Sequence, residues 1–237
     1  MEEKSILFEQ IRSSGCLSYI VGSKSEKVGV VIDPEIDKTE EYLGLARHFA
    51  IELIYAIDTH THADHSSACK ILRDRAGIKA VMHRASEAPY VDVGVDEGDI
   101  VRCGDIAVEV LHTPGHTEDS TCLVIGNRIF TGDTLLIGGC GRTDLPGGNA
   151  EKQYESLQRL MALGDHLRVY PAHDYRHAVS TLGDEKKSNP RLLAPSKEEF
   201  VNFMTNRNPP LPRKIQSALE WNRTPIQGTQ RGGGEGI

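Results

Sequence analysis

The feature that most constrains this chain is a dense group of metal-binding side chains in one short segment. Residues 59–65 read Thr-His-Thr-His-Ala-Asp-His, which supplies His60, His62, Asp64 and His65. His60 and His62 are two positions apart, so in an extended loop their side chains point to the same side. Imidazole and carboxylate groups are common ligands of zinc and iron. A metal site is therefore a better interpretation than a polar loop that happens to be rich in histidine.

Three more candidate ligands follow later in the chain, each directly after an apolar run. They are His116 in the segment TPGHT, Asp133 in TGDT and His173 in PAHD. Taken singly, each is an ordinary turn or loop residue. Loops held by a rigid sheet are common positions for functional residues. Their joint occurrence at strand ends predicts that they complete the site begun by the histidine cluster.

Apolar runs alternate with turn residues along most of the chain. This pattern predicts strands at residues 16–21, 28–32, 53–57, 79–82, 106–111, 121–125, 128–130 and 167–170. Helical spacing predicts helices at 39–49, 66–75 and 151–163. The mixture favours an α/β fold of two sheets with helices outside. We expect one catalytic domain over residues 1–229 and a disordered, glycine-rich tail at 230–237.

Charge and cysteine content narrow the function classes. The net charge of −7 argues against a nucleic-acid-binding protein, which usually carries a basic stripe. No apolar run approaches the length of a membrane span, and the first ten residues do not resemble a signal peptide, so we expect neither membrane insertion nor export. The five cysteines are odd in number and form no CxxC pair. They exclude a zinc ribbon and favour a reducing, cytoplasmic compartment.

The segments HTHADH, TPGHT, TGD and PAHD, in this order, resemble the metallo-β-lactamase superfamily from about residue 15 to residue 177. That resemblance implies an αββα sandwich of two mixed β-sheets flanked by helices. Within the superfamily, GCGRTDL at 139–145, PAHDY at 171–175 and NPRL at 189–192 resemble the persulfide dioxygenase (sulfur dioxygenase) family. The related glyoxalase II family typically has Gly-His-Glu-Tyr where this chain has Ala-His-Asp-Tyr, and its helical carboxyl-terminal domain is longer.

The resemblance to persulfide dioxygenases implies one Fe(II) per chain, held by His60, His116 and Asp133. Two histidines and one carboxylate leave coordination positions open, as non-haem iron oxygenases require. The implied reaction is the oxidation of glutathione persulfide by O₂ to sulfite and glutathione. His62, Asp64, His65 and His173 would then orient the ligands. Two alternatives stay open: a two-metal Zn(II) hydrolase of glutathione thioesters, for which these four residues would supply a second site, and a non-catalytic metal-binding module.

Four residues are candidates for contact with the substrate. Arg142 suits a clamp on a glutathione carboxylate, although a surface salt bridge is the alternative. Tyr175 would hydrogen-bond the glutathione backbone or be a structural tyrosine, and Cys140 would line the pocket or be a small buried residue. Arg176 is a further candidate. The oligomeric state is open, with a homodimer as one alternative. The other histidines are assigned to the surface or to packing: His48, His83, His112, His166 and His177.

Overall fold

The computed structural model describes residues 6–174 and 179–225. Predictions for Tyr175, Arg176, His177 and the tail at 230–237 therefore lie outside the described residues. None of the helices within the described ranges is long and apolar enough to cross a membrane. The single catalytic domain over 1–229 stays a prediction.

The first sheet is built by the amino-terminal half of the chain and has six strands in sequential order. The strands are β1 (Ile6–Ser13), β2 (Cys16–Ser23), β3 (Val28–Ile32), β4 (Glu52–Ile57), β5 (Lys79–His83) and β6 (Val93–Val95). β1, β2 and β3 pair antiparallel, whereas β3, β4, β5 and β6 pair parallel. Parallel neighbours need a crossover connection. The helices α1 (Thr39–His48) and α2 (Cys69–Ala76) supply two of these crossovers.

The second sheet also has six strands in sequential order. They are β7 (Ile100–Cys103), β8 (Ile106–His112), β9 (Thr121–Ile125), β10 (Arg128–Gly132), β11 (Arg168–Pro171) and β12 (Ser180–Thr181). All neighbours pair antiparallel except β10 and β11, which are parallel and joined through helix α3 (Ala150–Met161). It follows that β8, β10 and β11 run in the same direction, so the loops after them meet at one edge.

The two sheets pack face to face, with helices on both outer faces. The central core joins Tyr19 and Ile57 of the first sheet to Val108 and Phe130 of the second. A second cluster lies between the first sheet and helices α1 and α2. A third lies between the second sheet and α3, together with the carboxyl-terminal helices α4 (Leu182–Ser188) and α5 (Lys197–Thr205). This arrangement confirms the predicted αββα sandwich of two mixed sheets.

The sequence patterns located most of the central strands and missed the peripheral elements. Strands β1, β6, β7 and β12 were not predicted, nor were α4, α5 and the last helix, α6 (Ile215–Arg223). The helix predicted at 66–75 begins at Cys69 instead. Ser67 is the reason, because its hydroxyl donates to Asp58 Oδ2 (2.6 Å) and its backbone N–H donates to Asn222 Oδ1 (2.9 Å). These contacts keep residues 66–68 in an irregular loop.

Candidate metal centre

All seven predicted ligands lie in loops that follow strands. His60, His62, Asp64 and His65 follow β4, while His116, Asp133 and His173 follow β8, β10 and β11. The structure brings these residues together in several groups, some of which share a residue, rather than as one ring of ligands. Within each group the possible ligand atoms lie within 4.8 Å of one another. The groups are His60–His116–Asp133, His62–Asp64–His65, Cys16–Asp64–His173 and Asp33–Asp58–His62.

The first group has the hydrogen bonds that a metal-binding histidine pair needs. His116 donates its Nδ1–H to the carbonyl oxygen of Arg142 (2.6 Å). Thr59 donates its hydroxyl to Asp33 (3.0 Å), so its oxygen accepts from Nδ1–H of His60 (2.9 Å). Both rings therefore carry their proton on Nδ1 and keep the Nε2 lone pair for a ligand. Metal-binding histidines typically donate their other ring N–H in this way, so the donor set fits a metal ion.

Electrostatics favour a neutral imidazole at His60 and an ionised carboxylate at Asp133. Burial, together with the neighbouring His62 and His116, lowers the pKa of His60 to about 3. Burial by itself would raise the pKa of Asp133, but His173 and the other imidazoles hold it well below its usual range. These are the protonation states in which both groups bind metals.

Gly141 allows this group to pack closely. A Cβ atom at Gly141 would lie 2.9 Å from His116 Nδ1 and closer still to the carbonyl oxygen of Asp133. Only glycine leaves room for the backbone to pass between them. The second glycine of the GCGR segment is therefore required by its close contact with His116 and Asp133.

Asp64 and His173 form the core of a second group beside the first. His173 donates Nδ1–H to Asp133 Oδ1 (2.7 Å) and Nε2–H to Asp64 Oδ2 (2.9 Å). The same Asp64 oxygen accepts from His65 Nδ1 (3.2 Å) and from the thiol of Cys16 (3.2 Å). The carboxylates raise the pKa of His173 well above its ordinary value, although burial acts in the opposite direction. Asp133 thus touches both groups through its two oxygens.

His62 is buried beside His60 and is hydrogen-bonded to Asp33. Its ring lies against that of His60, with centroids 4.1 Å apart, but its Nε2–H donates to Asp33 Oδ1 (3.2 Å). Within the described residues, neither His62 Nδ1 nor His65 Nε2 has a hydrogen-bond partner. Buried polar atoms are rarely left unpaired. Two orphaned imidazole nitrogens at one place are a further sign that a cation belongs here.

The site opens into a cavity of about 510 Å³. Its wall includes Asp64, His65, His116, Asp133 and His173 from the metal centre. Four cationic side chains also line it: Arg142, Arg207, Arg213 and Lys214. A volume of this size is typical of a pocket for a small-molecule ligand.

Arg142 and Cys140, both candidates for contact with the substrate, line the cavity. The guanidinium of Arg142 is paired with Asp144 (2.6 Å) and donates to the carbonyl oxygens of Pro209 (3.1 Å) and Pro210 (2.8 Å). A substrate carboxylate would therefore share this guanidinium with Asp144. Cys140 is only 7% exposed, and burial raises the pKa of its thiol to about 12. Cys140 is thus both a residue that lines the pocket and a small buried residue, the two interpretations that the sequence offered.

Cys16 and Asn222 are among the residues that contact the ligand loops and that sequence reasoning missed. Cys16 begins β2 after the turn at Ser14 and Gly15, and nothing in that turn indicates a metal site. Asn222 lies on α6, about 160 positions from the histidines whose backbone it binds. Only the pairing of distant segments brings these two residues to the centre.

Comparison with known proteins agrees with the fold and the centre. The family model described as the Metallo-beta-lactamase superfamily matches residues 12–173. The chain belongs to this superfamily, as the sandwich and the histidine cluster at its edge indicate. It is 38% identical to the mitochondrial persulfide dioxygenase ETHE1 of Homo sapiens over 221 residues, which is 91% of this chain and 85% of that protein. The Mus musculus protein of the same name is 38% identical over 86% of this chain and 82% of its own length.

Comparison with a solved structure also indicates similarity to the persulfide dioxygenases. The crystal structure of ETHE1 from Myxococcus xanthus superposes with a TM-score of 0.89 at 40% sequence identity, covering 92% of this chain and 98% of that one. Within the metallo-β-lactamase superfamily, the chain therefore belongs to the persulfide dioxygenase family.

Proposed function

We propose that this protein is a persulfide dioxygenase that oxidises glutathione persulfide with O₂, yielding sulfite and glutathione. The observation that carries the proposal is the convergence of His60, His116 and Asp133, whose ligand atoms lie within 4.8 Å of one another beside the cavity. Identity of 38% to relatives named persulfide dioxygenase supports the same reaction. The oligomeric state, a homodimer among the alternatives, and the cytoplasmic location stay predictions.

We further propose that Fe(II), one per chain, is held by these three residues. Two histidines and one carboxylate form the facial set typical of non-haem iron oxygenases. When bound there, Fe(II) would supply open coordination positions at which a persulfide sulfur and O₂ become neighbours. The chain holds the ligands ready, because Thr59 and the Arg142 carbonyl orient the imidazoles of His60 and His116.

The charges around the cavity suit an anionic substrate. The chain carries a net charge of −7, yet Arg207, Arg213 and Lys214 lie together on the cavity wall. Glutathione persulfide has two carboxylates, one ammonium group and a persulfide that is readily ionised. Cationic side chains around a cleft raise the local concentration of such an anion and speed its association.

The reaction is tested with anaerobically purified protein loaded with Fe(II). Because the donor set suits iron, addition of glutathione persulfide is expected to cause O₂ uptake and release of sulfite in an oxygen-electrode assay. S-Lactoylglutathione is the control substrate and should be hydrolysed poorly or not at all. Rapid hydrolysis of the thioester without O₂ uptake, by protein containing two zinc ions, would establish the hydrolase alternative instead.

A further inference from the structure

We propose that Arg191 and Arg207 form a binding site for a small oxyanion, and that its ligand is sulfite, the product of the proposed reaction. The two arginines line a side pocket of about 320 Å³. This pocket borders the main cavity, because Cys140, His173 and Arg207 belong to the walls of both. The choice of sulfite rests on the proposed function, since the reaction would release sulfite in the main cavity.

The aromatic ring of Phe203 holds both guanidinium groups. The Cζ atom of Arg191 lies 3.3 Å from the ring centroid, and that of Arg207 lies 5.4 Å from it. A cation over an aromatic face is attracted by the negative charge of that face. Stacking uses the flat face of a guanidinium and leaves the N–H groups, which lie in its plane, free to donate. One phenylalanine therefore positions two sets of hydrogen-bond donors.

The two guanidinium groups have no anionic partner of their own. Within the part of the chain that the structure describes, neither group donates a hydrogen bond or has a carboxylate within 4.0 Å. Arg73 and Arg159, by contrast, each reach a carboxylate, at 2.9 and 2.6 Å. Burial, and after it the charge of Arg207, lowers the pKa of Arg191. Because neighbouring like charges repel, an anion bound between them would be attracted by both.

The carboxylate of Asp174 also lines the side pocket, but its charge is compensated. Arg12 donates to Asp174 Oδ2 from both Nη1 and Nη2, at 3.1 Å each. The side chain of Asp174 is only 2% exposed, so little of it faces the pocket. Arg191 and Arg207 therefore dominate the electrostatic potential of the pocket, which favours an anion.

Asn189 fixes the backbone on both sides of the side pocket. Its Nδ2 donates to the carbonyl oxygens of Leu136 (3.2 Å) and Gly139 (3.0 Å), in the loop at 136–140 that forms part of the pocket wall. Its Oδ1 accepts from the backbone N–H of Arg191 (2.9 Å). Asn189 is itself fully buried. The loop and the start of the arginine side chain are therefore held together before any ligand binds.

A small oxyanion fits the side pocket better than a carboxylate of the substrate does. The cations Arg142, Arg213 and Lys214 line the main cavity but not the side pocket, so they remain for the two carboxylates of glutathione persulfide. Sulfite carries up to two negative charges on three oxygen atoms. Guanidinium groups donate to such oxygens through pairs of parallel N–H groups. A substrate carboxylate shares this chemistry, so the test must distinguish the two anions.

Anaerobic calorimetric titration of the full-length protein with sodium sulfite tests the proposal. Because sulfite can also bind iron, the titration is run with iron-loaded and with iron-free protein. One equivalent of sulfite should bind with the same affinity to both forms. Excess S-methylglutathione, which carries both carboxylates of the substrate, should leave the sulfite bound. Sulfite binding that requires iron, or displacement of sulfite by S-methylglutathione, overturns the assignment.

Arg191→Gln and Arg207→Gln are the test variants, and Arg213→Gln is the matched control, since Arg213 lines the main cavity alone. Each test variant loses a charge-assisted contact, so its Kd for sulfite should rise on the order of tenfold or more. Arg191→Gln should also keep its KM for glutathione persulfide, and Arg213→Gln should keep its Kd for sulfite. Sulfite binding that is absent in the wild type, or unchanged in both test variants, overturns the proposal. The titration needs no turnover, so its failure is distinguishable from failure of the proposed function, which O₂ uptake measures.

Discussion

Asp133 contacts both groups of the metal centre, the one that contains His116 and the one that contains His173. Its Oδ1 accepts from His173 (2.7 Å), and its Oδ2 lies 3.6 Å from His116 Nε2. In a site with one iron, His173 and Asp64 therefore act behind Asp133 by fixing its orientation. In a two-metal site the same carboxylate would bridge two ions about 3.5–4 Å apart. The two arrangements use the same residues and differ in which of them bind a metal ion.

Substitution of ligands and of the residues behind them should separate these arrangements. His60→Ala or Asp133→Ala should abolish iron binding, because each removes one of three ligands. His65→Ala should keep most of the iron while activity falls about 10–100-fold, the usual cost of losing a residue that orients a metal ligand. Iron content and turnover of each variant measure this. Two iron equivalents in the wild type, with one lost in His65→Ala, would show that the site is binuclear.

Arg142 should act on substrate affinity. If it clamps a glutathione carboxylate, Arg142→Ala loses a charge-assisted contact worth roughly 1.5–3 kcal/mol, and KM rises on the order of tenfold or more. Iron content should stay normal.

Asp144→Ala is the matched control, because it frees the guanidinium that Asp144 now shares. A clamp predicts a KM that is unchanged or lower in Asp144→Ala. If both variants raise KM alike, the ion pair instead holds the segment at Pro209 and Pro210 in place.

At the scale of elements, helix α6 holds the loop of the histidine cluster in place through hydrogen bonds to its backbone. Asn222 is buried and donates its side-chain amide to the carbonyl oxygens of His62 (2.9 Å) and His65 (3.0 Å). Its Oδ1 accepts from Ser67 N (2.9 Å), and Trp221 donates to Ser67 O (2.9 Å). A loop cannot satisfy its own backbone groups as a helix does, so this distant helix supplies the partners.

Asn222→Ala should loosen the ligand loop. It leaves three buried backbone groups unpaired, and each such group costs about 1–3 kcal/mol. We expect a lower free energy of unfolding and iron binding weakened by roughly tenfold, comparable to other losses behind metal ligands.

Chelator competition measures the iron affinity, and chemical denaturation measures the stability. Ser217→Ala, an exposed change on the same helix, is the control and should alter neither. If Asn222→Ala lost stability but kept its iron affinity, α6 would have a structural role alone.

At the scale of the whole molecule, the metal centre joins the two sheets. His60 follows a strand of the first sheet, whereas His116 and Asp133 follow strands of the second. An ion bound by all three is therefore a cross-link between the two layers of the sandwich. Since the unfolded chain lacks this arrangement, metal binding should stabilise the folded state.

Removal of the metal should lower the melting temperature. A ligand at 100 times its Kd stabilises the folded state by about 2.7 kcal/mol. For a chain of this size, that corresponds to roughly 5–10 °C in Tm. Differential scanning calorimetry with and without a chelator measures the shift. The Asp133→Ala protein is the control, and its Tm should not respond to the chelator. An equal response in both proteins would place the stabilising ion elsewhere.

Local sequence patterns predicted the buried core of the fold well. The runs at 28–32 and 121–125 form β3 and β9 with the predicted bounds, because burial on both faces requires continuous apolar residues. β1 was missed because its residues, ILFEQIRS, are mostly half-buried at a sheet edge and mix charge with apolar side chains. Helices α4 to α6 were missed because, with seven to nine residues each, they are too short to show a clear helical periodicity, and the prolines at 209, 210 and 212 precede α6.

For the candidate centre too, what the sequence predicts depends on how far apart the contributing residues lie along the chain. The sequence by itself determined the ligand types, since HTHADH places four donors within six residues and strand ends carry the other three. Only the tertiary structure decided which donors lie close enough to share an ion, because that depends on contacts between segments that are distant in sequence. Cys16 pairs with His173 across 157 positions, and Asn222 reaches His65 across 157. Periodicity reports which face of an element is buried, and it carries no information about which distant residue lies opposite that face.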